Sequence, residues 1–266
     1  MKNRSFIFTA VVASLLYVSC TKPQTTLSEN ERPFNPPIMG WSSWNAFLVD
    51  ISEDIIKHQA DLMVEKGLKD AGYQYINVDD GYFGKRDENG VMQANEKRFP
   101  NGMKPVADHI HSLGMKAGLY TDAGTRTCGS LWNKDSIGIG AGIYGHEPQD
   151  AQLYFGDWGF DFIKIDYCGG EVLGLDEKER YTSIRNSIDK VNKNVSINIC
   201  RWAYPGTWAK DAATSWRISG DINAHWNSLK YVVGKNLYLS AYAGNGHYND
   251  MDMLSLIHIS EPTRPY

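Results

Sequence analysis

Residues 161–170 read DFIKIDYCGG, and how this stretch is read decides the fold. Phe162, Ile163 and Ile165 suit a strand buried on both faces, yet Lys164 and Asp166 interrupt them. Residues two apart on a strand share a side, so Lys164 and Asp166 face the same way as Phe162, and the two isoleucines face the other. A buried charge is costly unless it is paired or functional. The pair is therefore either a buried ion bridge between strands or the floor of a site.

Working outward, the same pattern recurs. IMGWSSWN, YQYINVDD, MKAGLYTDAG, VSINICRW, SWRISGD and NLYLSAYAG are apolar stretches following the same beat as 161–170. Helical patterns fall between them. The first of these is capped by Ser52, with Glu53 and Asp54 at its positive end and Ile55, Ile56, Gln59, Ala60 and Met63 on one face; Gly67 or Gly72 closes it. KPVADHIHSLG, DAQLYFGDWG and DEKERYTSIRNSIDKV are the others, and the segment after YQYINVDD reads as an irregular loop. Alternating strands and helices, with strands apolar on both sides, predict a parallel sheet covered by helices. Polar residues gather at the strand C-termini: Asp79 and Asp80, Tyr120 and Asp122, Lys164 and Asp166, Arg201, Asp221. That is the active end of a (β/α)8 TIM barrel. An open doubly wound sheet also binds ligands there but needs a phosphate-binding glycine turn. GIGAGIYG at 138–145 has no strand before it and reads as a flexible or sugar-facing loop.

The bulk properties agree with one large α/β domain. The chain has 266 residues, 42% of them apolar, and a net charge of −4, which offers no basic surface for a nucleic-acid partner. Residues 1–20 form a leader: Lys2 and Arg4, then a short apolar run ending in LLYVSC. That ending resembles a bacterial lipoprotein signal, in which Cys20 becomes the lipidated first residue; an ordinary secretory signal is the alternative, and both export the chain. Contact with a membrane is then expected only through that anchor. Residues 21–35 read as a polar, proline-bearing linker, and 36–254 as the folded barrel. Beyond Cys20 there remain Cys128, Cys168 and Cys200, which allow at most one internal disulfide, and no zinc-like spacing occurs. His109 and His111, two apart on a helix, cannot converge on one metal.

Two acids flanking an anomeric carbon are the usual equipment for cleaving a glycosidic bond. Asp166 suits the ionised nucleophile because Lys164 shares its face. Asp221 follows the flexible Gly220 and suits the acid/base, although taken alone a helix N-cap describes it better. One of Asp79 or Asp80 could likewise serve only to cap the segment that follows.

PPIMGWSSWNAF, INVDDGYF, GVMQANEKRFPNGM, GLYTDAGTRTC, GDWGFDFIKIDYC, WRISGDI and YNDMDML occur in this order. Together they resemble glycoside hydrolase family 27, the α-galactosidase and α-N-acetylgalactosaminidase family, from about Pro36 to Leu254. The resemblance implies a (β/α)8 barrel with a C-terminal β-sandwich domain, a retaining mechanism, a carbohydrate substrate, and no metal or cofactor. It makes Asp166 the nucleophile and Asp221 the acid/base. Trp44, Asp79, Asp80, Tyr120, Lys164, Arg217 and Asp252 then line the sugar pocket. It also pairs Cys128 with Cys168 and leaves Cys200 a free thiol near the site.

Two departures follow. Arg201 stands where α-galactosidases carry a glutamate that reads the sugar's 2-hydroxyl, and where 2-acetamido enzymes carry a small residue. A guanidinium cannot accept a hydrogen bond. It is expected either to meet the ligand or to turn aside onto an acid such as Asp221 or Asp252. After YNDMDML, residues 255–266 lack any strand–helix beat and read as a tail unrelated to the fold. The last barrel strand and the β-sandwich domain are then missing, the barrel cannot close, and the chain as written is expected to fold poorly or lack activity. A non-catalytic surface glycan-binding lipoprotein and a metal-assisted barrel hydrolase are the competing readings. N-acetylgalactosamine and arabinopyranose are alternative sugars for the same chemistry.

Overall fold

The computed structural model describes residues 37–244 and 246–252. The leader expected at 1–20 with the lipidation expected at Cys20, the linker expected at 21–35 and the tail expected at 255–266 lie outside these residues. Among the described residues no helix is long and apolar enough to cross a membrane.

Among the described residues nine strands occur in chain order: β1 Gly40–Ser42, β2 Tyr75–Asn77, β3 Phe83–Arg86, β4 Met92–Ala94, β5 Lys116–Asp122, β6 Phe162–Asp166, β7 Ser196–Cys200, β8 Ser215–Arg217 and β9 Tyr248–Asp250. Seven of them form one sheet in the order β1-β2-β5-β6-β7-β8-β9. Every pairing in it is parallel. Sequence order and spatial order coincide, as in a (β/α)8 barrel. The accumulated strand twist curls the sheet, and the first and last strands communicate: Ile38 N donates to the Tyr248 hydroxyl at 3.1 Å. No further strand lies between β9 and β1 among the described residues, so the barrel is incomplete in them.

The helices cover the outer face of this sheet. Glu53–Glu65 begins at Ser52, whose Oγ accepts from Ile55 N at 3.3 Å, and its inward stripe is Ile56, Ala60 and Met63. Lys104–Ser112 buries Val106, Ala107 and Ile110. Glu177–Val191 is capped by Asp176, which accepts from Glu179 N at 2.8 Å. The alternation read from 161–170 is realised here. Ile163 and Ile165 of β6, with Ile197 and Ile199 of β7, are fully buried in the apolar core.

Three local expectations are corrected. NLYLSAYAG is not a strand: it completes the helix Trp226–Leu239 and the 3-10 turn Ser240–Tyr242. A short apolar run does not distinguish strand from helix by periodicity. The strand that follows β8 is instead the polar Tyr248–Asp250, anchored by Asn249, which donates to Asn236 Oδ1 at 3.0 Å and to the Leu239 carbonyl at 2.9 Å. The loop after β2 contains the antiparallel hairpin β3–β4. The glycine-rich 138–145 segment is not a free loop. It packs on the loop after β5, with Ile143 N donating to Asp122 O at 3.0 Å and Tyr144 N to Gly124 O at 3.0 Å. Arg86 ties it down further by donating to the Gly140 and Gly142 carbonyls and pairing with buried Asp150.

Candidate functional site

Parallel register puts equivalent residues of neighbouring strands at one height. Tyr120, Lys164 and Asn198 form one layer across β5, β6 and β7. Asp122, Asp166 and Cys200 form the next, at the strand tips. Above them opens a cleft of about 350 Å³ whose lining includes Trp44, Asp79, Tyr120, Lys164, Asp166 and Asp221. Trp132, Trp202, Gly220 and the Cys128–Cys168 disulfide complete its wall.

Lys164 is shared between two acids. Its Nζ donates to Asp79 Oδ2 at 3.0 Å and lies 3.8 Å from Asp166 Oδ2. The closer partner is therefore Asp79, not the neighbour on its own strand. Asp79 and Asp166 together hold the ammonium well above its ordinary range, although burial opposes this. Burial pushes the Asp166 carboxyl up, while Lys164 pulls it down. Lys164 thus counters a desolvation that would otherwise neutralise the acid. Asp166 Oδ1 is buried. The free thiol of Cys200 is buried beside it. That burial, with Asp166 next, pushes the thiol well above its usual value.

The second acid is held differently. The Asp221 side chain is 64% exposed, and its Oδ1 accepts from Arg217 Nη2 at 2.9 Å. It does not cap a helix. Arg217 is itself buried and lies 3.1 Å from Asp252 Oδ1 through Nη1. Asp252 Oδ2 in turn accepts from Ile222 N at 2.7 Å. Arg217 and Asp252 therefore stand behind the cleft and brace the Asp221 loop; neither contributes to the lining.

Asp80 is not among the residues that line the cleft. It accepts from Gly81 N and Gly129 N, each at 2.8 Å. Burial and the charge of Asp79 push its carboxyl up to about 7 against those hydrogen bonds and one from Thr127. Its geometry is that of an anchor for the Cys128 loop. Tyr120 does both jobs: it lines the cleft, and its hydroxyl accepts from Cys128 N at 3.2 Å. Arg201 has turned aside, but onto a different acid from those expected. Its Nε donates to Glu177 Oε1 at 2.5 Å, and its guanidinium lies 5.6 Å from the Tyr167 ring. Glu177 starts a helix on the outer layer, a partner that no strand-tip pattern could indicate.

The disulfide joins Cys128 to Cys168 and spans 40 residues, linking the loop after β5 to the loop after β6. Trp132 and Trp202 were not singled out from sequence. Their signal is weak: one lies four residues beyond Cys128, the other two beyond Cys200 at the tip of β7.

A parallel sheet curled in (β/α)8 fashion, with acidic side chains collected at its C-terminal end, defines the class as an α/β-barrel protein with a strand-tip site. Residues 36–260 match the family model described as alpha galactosidase A. The chain belongs to that family, glycoside hydrolase family 27. It is 38% identical to alpha-galactosidase A of Cellvibrio japonicus over 96% of this chain and 63% of the relative. It is 41% identical to alpha-galactosidase of Cyamopsis tetragonoloba over 86% of this chain and 54% of the relative. Among solved structures, alpha-galactosidase I of Mortierella vinacea superposes with a TM-score of 0.76 at 31% identity, covering 85% of this chain and 61% of that one. The chain therefore spans little more than half the length of these relatives.

Proposed function

We propose that this barrel is the catalytic part of a retaining glycoside hydrolase that removes terminal α-D-galactosyl or closely related residues from oligosaccharides and polysaccharides. The observation that carries the reading is the convergence of Asp166 and Asp221 on one cleft, the first buried beside an ammonium and the second exposed at the rim. Asp166, which lines the floor of the cleft, attacks the anomeric carbon. Asp221, aimed by Arg217, protonates the departing glycosidic oxygen. Asp221 then takes a proton from water, which opens the glycosyl ester and returns Asp166 with the anomeric configuration retained. Asp79, linked to Lys164, is placed to accept hydrogen bonds from sugar hydroxyls. The family supplies the expectation of galactose, and the leader supplies that of export with a lipid anchor at Cys20.

The test is turnover of aryl α-glycosides of galactose, N-acetylgalactosamine and arabinopyranose by the complete gene product. Asp166→Asn is expected to lower galactoside turnover by about 10³-fold or more, and NMR should show the α-anomer as the first product. Full turnover in Asp166→Asn, or a first-formed β-anomer, would sink the assignment.

A further inference from the structure

The cleft is graded from buried to exposed. Asp79 and Asp166 on its floor are 3% and 4% exposed, whereas Trp132 on its wall is 76% exposed. Asp221, with its side chain 64% exposed, lies toward the same open level. On the retaining reading, the acid/base meets the oxygen of the departing group, so that group occupies this outer level. An aromatic face there meets the leaving group and not the sugar being transferred.

The backbone that carries Trp132 is held in place. It ends the short helix Cys128–Trp132, whose N-cap Thr127 accepts from Ser130 N. Four ties fix the base of that helix: the disulfide to Cys168, the Asp80–Gly129 hydrogen bond, the Tyr120–Cys128 hydrogen bond, and the close packing of Gly129. A Cβ at Gly129 would come within 2.6 Å of Asp80 Oδ2 and 2.7 Å of Val49. Other strongly exposed aromatics, such as Tyr238 at 88%, lie on a helix and do not line the cleft. An exposed indole on the wall of the cleft, carried on a tethered backbone, offers an apolar face to a ring.

We infer that Trp132 is the platform of a leaving-group subsite, stacking against the pyranose or aryl ring attached to the scissile oxygen. The inference rests on the glycosidase reading and adds a preference for ring-bearing leaving groups.

Three substrates separate the two claims: α-galactosyl fluoride, whose leaving group cannot stack; 4-nitrophenyl α-galactoside; and galactosyl-α-1,6-glucose. In Trp132→Ala, kcat/KM for the disaccharide and the aryl glycoside is expected to fall roughly 10- to 100-fold, chiefly through KM, in keeping with loss of a buried aromatic contact. The value for the fluoride should stay within about twofold, and Trp132→Phe should restore most of the loss. Equal losses on all three substrates, or no loss on the disaccharide, would overturn the subsite while leaving the glycosidase intact. A complete gene product that cleaves none of the three overturns both.

Discussion

Asp122 illustrates how one side chain couples stability to pH. It sits level with Asp166 across the β5–β6 pairing, and its Oδ1 accepts from Gly124 N at 2.7 Å and Gly169 N at 3.0 Å. Burial, opposed by these hydrogen bonds and reinforced by Asp166, pushes its carboxyl up to about 7. The unfolded chain releases that proton near pH 4. Between about pH 4 and about 7 the folded state therefore binds more protons at this position, and stability falls as pH rises. The contribution is fully present below about pH 4 and is lost as pH passes about 7. Asp122→Asn keeps an acceptor for the two amides and removes the titration. Melting temperatures of wild type and variant, followed from pH 5 to 8, should diverge in the variant's favour as pH rises. A constant difference would show that Asp122 does not titrate in this range. Arg201 belongs to the same scale. Its attachment to Glu177 ties this strand-tip cation to the outer helix.

At the level of elements, the site depends on loops that the strands alone do not position. The Cys128–Cys168 bridge joins two of them, and its sulfurs line the cleft. Closing a loop of 40 residues stabilises the fold by about 4 kcal/mol in the chain-entropy description. The double variant Cys128→Ser, Cys168→Ser is expected to lose about 2–4 kcal/mol in denaturant unfolding. Its turnover should fall further than stability requires, because both Trp132 and the loop after Asp166 lose their tether. Unchanged turnover in folded double variant would mean that the Asp80 and Tyr120 hydrogen bonds position the loop unaided.

The whole molecule presents two sheet edges, β1 and β9, among the described residues. The helix Trp226–Leu239 buries only Val232 fully and exposes Trp226, Tyr231, Leu237 and Tyr238. Such a face and such edges favour self-association. A protein comprising residues 34–254 alone is expected to elute as oligomer or aggregate in size-exclusion chromatography and to lack turnover. A soluble, active monomer would refute this.

What the sequence determined by itself was whatever is local or periodic. The two-residue alternation in 161–170 sets which side of β6 is polar. The strand–helix beat sets a parallel sheet, and Ser52 marks a helix start through chemistry within one turn. The tip residues Asp166 and Asp221 were legible because strand ends are marked by the change from apolar to polar. Only the tertiary structure decided what each charge meets. Lys164 lies closer to Asp79, 85 residues away, than to Asp166 beside it; Asp80 braces a loop while its neighbour lines the cleft; Arg201 reaches an outer helix. Long side chains choose partners across the fold by reach and desolvation, and neither is written into the spacing of residues along one chain segment.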